Sequence, residues 1–424
     1  MPHTDKTQQD LLLRQTVEYA CSSSPFYSKK FEEFGIEPSS IRSISDITSL
    51  PVTSKEDLQK DNWSFLCVQR QMISEIVATT GTTGVPVFFA LTAKDLDRLA
   101  ENERRSFEEM GVKAGELVQI AVTLDNLFIA GLAYHAGLRK LGASVLRTGP
   151  QNPGRQLDLL KKLSPDAIVA VPSFLLHMAK EAEKTGISLK ELNLKKALLI
   201  GESIRAEDFS SNNLGRLVEE RWDLETFSTY GITEASVAFY ECASHKGLHA
   251  HSDFVYAEIL DDDGNPVPPG EPGELTVTTF QVEAMPVIRY RTGDITFMPE
   301  EPCECGKNSQ RLGPVLGRKA HKLKLKGTTV YPGAIENALM QLDEIINFQI
   351  IAYSGDEGSD RIIVKAGSTE TDGALVEKIK STIRSYARVA PEVEIMSPER
   401  VDGLLYAGNR RKKMTFVDLR GTVA

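Results

Sequence analysis

The chain has 424 residues, of which 41% are hydrophobic and 25% charged, with a formal net charge of −10 at pH 7. That length exceeds one ordinary core, so two or more domains are expected. The acidic balance speaks against a nucleic-acid partner, and no apolar run approaches the roughly 20 residues of a membrane span.

The first residues, MPHTDKTQQDLLLRQ, are polar and lack the basic-then-apolar order of a signal peptide, so a cytoplasmic location without a membrane partner is expected. Residues 8–22 carry Leu11, Leu12, Thr16, Tyr19 and Ala20 at helical spacing. SPFYSKKFEEFGI (24–36) predicts a short helix ended by Gly35. In LPVTSKEDLQK (50–60), Thr53 or Ser54 is an N-cap followed by acidic residues. ATTGTTGVP (78–86) is a threonine–glycine loop whose N–H groups and hydroxyls suit a phosphate. A P-loop would follow its last glycine with Lys and then Ser or Thr; this chain has Val85 and Pro86. VPVFFAL predicts a strand and 93–110 an amphipathic helix. Beyond them the short apolar runs LVQIAV (117–122), AIVAV (167–171) and KALLI (196–200) alternate with helical patterns near 127–140, 173–186 and 206–219. That alternation predicts parallel sheets covered by helices. Region 254–296, with turns such as DDDGNP and PPGEPGE, reads as antiparallel β. GRKAHKLKLKGTTVYPGAIE (317–336) marks a boundary before a βαββαβ-like module.

The expected class is therefore α/β. A large N-terminal domain (1–317) is expected to have parallel-rich sheets with helices plus a small β-barrel-like part, followed by a small α+β domain (318–424). Residues 318–424 are slightly basic and the rest strongly acidic. This suits a module that handles an anion, although chance explains so small an excess equally well.

Four stretches concentrate the chemistry. They are TTGTTGVP (79–86); STYGITEAS (228–236), where Tyr230 and Gly231 precede Glu234 after a tight turn; IRYRTGDIT (288–296), where Asp294 follows a turn glycine at a strand end; and the boundary stretch with its late counterpart GNRRKKMTFVDLR (408–420). Singly, each has a plain alternative: a glycine turn, a helix start with a favourable Glu, an Asx turn, a solvated charged face. Together, in this order, they resemble the adenylate-forming acyl-CoA ligase superfamily, and within it the phenylacetate–CoA ligase family. VEYACSSSPFYSKKFEEFGI, LPVTSKEDL, AMPVIRYRTGDIT, CECGKNSQRLGPVLGR and VYPGAIE are similar to that family as well, so the likeness runs nearly end to end.

The resemblance implies an AMP-forming acid–CoA ligase. ATP and a carboxylic acid form an acyl-adenylate, and coenzyme A displaces AMP. Thr80, Gly81, Thr82, Thr83 and Gly84 would hold the β,γ-phosphates, with Val85 standing where many relatives have Lys. Glu234 corresponds to the magnesium-binding glutamate. Tyr230, beside Gly231 and Thr233, corresponds to the residue on the adenine face, and Gly201 and Glu202 to an adenine-side segment. Asp294 corresponds to the ribose-binding carboxylate and Arg318 to the arginine near ribose and phosphate. Lys412 corresponds to the C-terminal catalytic lysine, with Lys413 the alternative. Gly327 is expected beside the pantetheine. The resemblance also implies a mobile C-terminal domain (318–424), whose usual hinge Asp or Lys is Ala320 here. An aromatic or arylacetic acid is expected near Phe128, His135, Pro172 and Ser173, although those segments serve equally well as core. A non-CoA acceptor, or a non-catalytic nucleotide-binding relative, remains as an alternative. A homodimer is the family expectation.

Cys21 and Cys67 read as isolated core residues. Cys242, Cys303 and Cys305 with His249 make a Cys3His set suited to structural zinc, and His245 or His251 is an alternative fourth ligand. Three buried thiols beside a surface histidine are the plain alternative.

Overall fold

The computed structural model describes residues 6–79, 86–325, 328–355, 359–370, 373–406 and 413–420. The chain divides into two compact units. The first comprises Met1–Ser211, Gly215–Thr292 and Thr296–Val315; the second comprises Asn212–Leu214, Gly293–Ile295 and Leu316–Ala424.

The first unit opens with helices α1 (Lys6–Ser23), α2 (Pro25–Glu33) and α3 (Lys55–Lys60). Ser24 caps α2 by accepting from the Tyr27 N–H. At α3 the cap is Ser54, in a capping box with Asp57; Thr53 is instead fully buried. Strands β1 (Glu75–Ala78) and β2 (Phe88–Leu91) pair antiparallel. Helix α4 (Ala93–Glu109) starts at a second capping box, Thr92 with Asp95.

A mixed sheet follows. Its strands are β3 (Leu117–Ile120), β4 (Ser144–Arg147), β5 (Ala167–Ala170), β6 (Lys196–Leu199), β7 (Glu225–Ile232), β8 (Val237–Glu241) and β9 (Leu248–His249). Strands β10 (Val255–Leu260), β11 (Gly273–Thr279) and β12 (Tyr290–Thr296) come next in the chain, and β13 (Arg311–Leu312) completes the sheet, in the order β13-β9-β8-β7-β6-β5-β3-β4. Strands β4, β3, β5, β6 and β7 run parallel, while β8, β9 and β13 add antiparallel neighbours. Strand β5 is buried at every position, as a central strand covered on both faces must be. Its alternation assigns the faces. Ile168 and Ala170 pack with Leu157 and Leu160 of α6 (Pro153–Leu163), Leu175 of α7 (Pro172–Thr185) and Trp222 of α8 (Asn213–Trp222). Ala167 and Val169 pack with Phe107 of α4 and with Tyr134 and Leu138 of α5 (Ile129–Leu141). As expected for region 254–296, β10 and β11 pair antiparallel.

Two elements depart from expectation. The helix expected over 206–219 is α8, Asn213–Trp222. Residues 206–211 form a loop in which Ala206 N–H donates to Ser210 O at 2.8 Å and Phe209 takes a φ of 69°. Strand β4 and helix α6 carry no expectation at all. Cys21 and Cys67 are half-buried rather than fully in the core.

In the second unit, β14 (Gly317–Arg318) is followed by a hairpin of β15 (Leu323–Leu325) and β16 (Thr328–Val330), then α9 (Pro332–Leu339). Strands β17 (Asn347–Ser354) and β18 (Asp360–Gly367) pair antiparallel. After α10 (Gly373–Ala387), β19 (Glu392–Met396) joins β18 in parallel; after α11 (Pro398–Leu405), β20 (Phe416–Asp418) joins β17 in parallel. Its core joins Ile350, Ala352 and Val364 to Leu339, Leu375, Ile379 and Ile383. No described helix is long and apolar enough to cross a membrane.

Candidate functional site

Of the residues singled out in the sequence, Thr80, Gly81, Thr82, Thr83, Gly84, Val85, Gly327 and Lys412 lie outside the described residues. The stem of the threonine–glycine loop is described. Thr79 N–H donates to Val87 O at 2.9 Å, and Val87 N–H donates to Thr79 Oγ1 at 3.1 Å, so the chain enters and leaves the loop at one point. Ala78 N–H donates to Leu127 O at 2.9 Å, joining that stem to the segment before α5. There Asn126 and Leu127 both take positive φ, 56° and 60°, a conformation that costs a non-glycine residue about 1–2 kcal/mol. Phe128 follows as the N-cap of α5. His135, two turns on, is half-buried; burial and the nearby Arg147 and Arg139 guanidiniums hold its imidazole below the usual value and therefore neutral.

Tyr230 and Gly231 belong to β7, opposite Phe239 and Ala238 of β8, rather than to a turn. The turn is the single 3-10 turn Thr233–Ala235, and it carries Glu234. Ser236 closes it at φ 47°. The half-buried Tyr230 ring packs on Phe239 at 6.0 Å between centroids. The Tyr290 hydroxyl donates to Glu234 Oε1 at 3.2 Å.

Gly201, two residues beyond the end of β6, takes a φ of 79°. The next residue, Glu202, accepts from the Ser173 N–H at Oε2 and from Ser173 Oγ at Oε1, each at 2.8 Å. Pro172 is at the first position of α7, so the carboxylate grips a helix N-terminus, where a negative charge is favoured. The structure thus joins Glu202, read as adenine-side, to Ser173, read as acid-side.

In the second unit, Asp294 lies within β12 rather than at its end, beside Gly293 at φ 77°. It is directly opposite Arg318 of β14, whose Nε is 3.2 Å from Asp294 Oδ1. Ala320 sits in a 3-10 turn, Lys319–His321. Arg420 donates to Ala320 O at 2.8 Å and to Lys322 O at 2.7 Å. Lys413 is exposed and lies 5.8 Å from the centre of the Phe348 ring.

The Cys3His set converges. The ligand atoms of Cys242, His249, Cys303 and Cys305 lie within 4.8 Å of one another. Cys242 Sγ and Cys303 Sγ are 3.7 Å apart, too far for a disulfide, and Cys305 Sγ is 3.5 Å from His249 Nε2. A tetrahedron with Zn–S of about 2.3 Å and Zn–N of about 2.0–2.1 Å has S–S edges of about 3.8 Å and S–N edges of about 3.6 Å. The residues therefore fit that ion. His249 Nδ1 meets Ser309 Oγ at 2.9 Å, the kind of contact that orients a ligating imidazole. Burial, then Arg311 and Lys307, push His249 down to about 4, so it stays neutral. Burial pushes the Cys242 thiol up to about 12. At Cys303 burial also opposes ionisation, but hydrogen bonds from Cys305, Arg311 and Cys242 outweigh it and hold the thiol below its usual range. The alternative fourth ligands lie elsewhere: His251 meets Ser106 Oγ at 3.2 Å, and His245 pairs with Glu241 and Glu225.

Tyr290 is the residue the sequence does not single out. It stands in the quoted IRYRTGDIT, but its aromatic ring at a strand start reads as core, and only the fold brings its hydroxyl to Glu234.

Residues 36–284 match the family model described as AMP-binding enzyme, and residues 327–420 match that of the AMP-binding enzyme C-terminal domain. The phenylacetate-coenzyme A ligase of Thermus thermophilus is 33% identical over 350 residues, 81% of this chain and 77% of that protein. That of Aromatoleum evansii is 30% identical over 418 residues, 93% of this chain and 92% of that protein. A crystal structure of 2-hydroxyisobutyryl-CoA ligase in the postadenylation state, in complex with R3-HIB-AMP, is similar with a TM-score of 0.84 at 23% identity, covering 97% of this chain and 89% of that one. That likeness speaks for the fold. The chain belongs to the AMP-binding enzymes, and within them to the phenylacetate–coenzyme A ligase family.

Proposed function

We propose that the protein is an AMP-forming acid–coenzyme A ligase acting on an aromatic or arylacetic acid. The observation that carries this is the likeness to phenylacetate-coenzyme A ligases over nearly the whole of both chains. A carboxylate is a poor acyl donor because its leaving group would be oxide. Its oxygen attacks the α-phosphorus of ATP and pyrophosphate leaves, giving a mixed anhydride. The coenzyme A thiol, losing its proton, then attacks the carbonyl carbon and AMP leaves. Two anions must meet in the first step, so positive charge and orientation are the protein's main contributions.

In this reading the loop 80–84 cradles the β,γ-phosphates, and Lys412 brings a compact charge to the carboxylate and α-phosphate. Tyr230 lies along the adenine, with Gly231, Thr233 and the Gly201–Glu202 turn beside it. Asp294, which also pairs with Arg318, accepts from both ribose hydroxyls. Glu234 is the carboxylate for magnesium, an ion commonly held by one or two carboxylates together with substrate phosphates; when bound it neutralises phosphate charge. Phe128, His135, Pro172 and Ser173 border the acid. Because Glu202 grips Ser173, the acid side and the adenine side are mechanically one element. The Cys3His cluster holds a structural zinc, since four protein ligands leave no open position. Residues 1–317 serve as the adenylation domain and residues 318–424 as the C-terminal domain, with Gly327 beside the pantetheine. A cytoplasmic location suits the reduced thiols.

The test is pyrophosphate release with ATP and magnesium across aromatic, arylacetic and short aliphatic acids, with and without coenzyme A. The expected result is release with one aromatic class and AMP formation accelerated by coenzyme A. Release indifferent to coenzyme A would assign another acceptor. No release with any acid would overturn the ligase reading.

A further inference from the structure

Glu234 is the magnesium carboxylate in the proposed function, and any role assigned to its neighbours rests on that reading. A glutamate side chain has three torsions, so an isolated one presents its oxygens in many directions. Here the carboxylate accepts a hydrogen bond from Tyr290, and the turn that carries it is held separately.

Tyr290 is 1% exposed, and its backbone is clamped. Thr53 N–H donates to Arg289 O at 2.9 Å and Arg291 N–H donates to Thr53 O at 2.8 Å, on either side of Tyr290. Thr53 Oγ1 donates to Ile288 O at 2.7 Å. Arg289 is locked by Glu258 at 3.0 and 3.1 Å and by the Leu50 carbonyl at 2.8 Å. The hydroxyl therefore has a fixed address, and at that address it donates to Glu234 Oε1. The turn carrying Glu234 is fixed independently. The buried Arg98 of α4 donates to Ser236 O at 2.8 Å, and also to the Phe280 and Phe254 carbonyls at 2.8 and 2.7 Å.

We propose that Tyr290 is a positioning residue, whose buried hydroxyl fixes one oxygen of Glu234 and thereby orients the carboxylate toward the divalent cation that accompanies the nucleotide. A hydrogen bond to a ligating carboxylate fixes its plane and rotamer before the metal arrives, and losing such a partner typically costs 10–100-fold in metal affinity.

The test is Mn2+ binding to Tyr290→Phe by electron paramagnetic resonance, with a non-hydrolysable ATP analogue present, alongside thermal unfolding. Phenylalanine keeps the ring and removes only the hydroxyl. The expected result is a 10–100-fold weaker cation affinity. Glu234→Asp withdraws the carboxylate from Tyr290, and in that background Tyr290→Phe is expected to add no further loss, a non-additivity that a purely packing role would not produce. Unchanged Mn2+ affinity in Tyr290→Phe, with Glu234→Gln weakening it, would overturn the positioning role alone. Unchanged affinity in Glu234→Gln would overturn the assignment of Glu234 and the inference with it.

Discussion

Glu103 of α4 is 2% exposed, at the contact with α5, where a side chain on Gly137 would meet its Cβ at 2.4 Å. The Asn102 amide donates to Oε1 at 3.1 Å, and Oε2 has no hydrogen-bond partner among the described residues. Burial pushes its carboxyl up to about 8 from the usual 4.5. Between those values the unfolded chain is ionised while the folded one keeps its proton. Stability is therefore fully present below the lower value and falls as pH rises toward the upper, by up to about 1.4 kcal/mol per unit. Glu103→Gln should flatten this decline, so that melting temperatures of variant and parent diverge progressively from acid to pH 8; parallel curves would refute the buried neutral acid. At the other end of the chain, Lys412→Ala should abolish adenylation yet spare thioester formation from a supplied acyl-adenylate. If Lys413→Ala does so instead, the tail register is off by one. Glu234 and Asp294 could be picked out from motif chemistry in the sequence, and the roles proposed for them rest on it. Glu103 and Tyr290 could not, because what distinguishes them is a neighbour more than thirty positions away.

Among the elements, the strands that carry the cysteine cluster show how pairing converts distant residues into a site. Strand β13 places Arg311 opposite His249 of β9, and Lys307 ties the cluster loop to Glu109 of α4 at 2.7 Å. Metal removal should therefore loosen β9, β13 and the end of α4 together. The protein is expected to contain one zinc per chain, and Cys303→Ser to lose it with a lower melting temperature. Chelation should lower the parent's melting temperature reversibly, restored by zinc and not by magnesium. A metal-free protein of unchanged melting temperature would contradict this. The alternating apolar runs made β3, β5 and β6 readable. Strand β4 escaped because its edge position leaves SVLR half-exposed, with no apolar run to see. Helix α8 was displaced because 206–211 is held as a loop: Arg205 is bonded to Glu241 at 2.9 Å and to Glu219 at 3.1 Å, and Arg205 bridges to Ser211.

For the molecule as a whole, the α/β class and the likeness to a family were legible from end to end, because the diagnostic segments are spread from Val17 to Arg420. The identity of the acid was not. In the proposed function it would depend on the segment TLDNLF (123–128), whose backbone takes two successive left-handed residues that no apolar pattern announces. At the position expected to serve as a hinge, Ala320 has no charged side chain and its carbonyl accepts from Arg420; a hinge there would have to release that bond, while a small residue can absorb the dihedral change. The proposed reaction forms a discrete acyl-adenylate before coenzyme A acts. It is tested most directly by exchange of labelled pyrophosphate into ATP with magnesium and phenylacetate or a related arylacetic acid, and no coenzyme A. Label in ATP that depends on the acid and vanishes in Lys412→Ala is the expected result. Acid-independent exchange, or no exchange while coenzyme A still yields AMP, would contradict it.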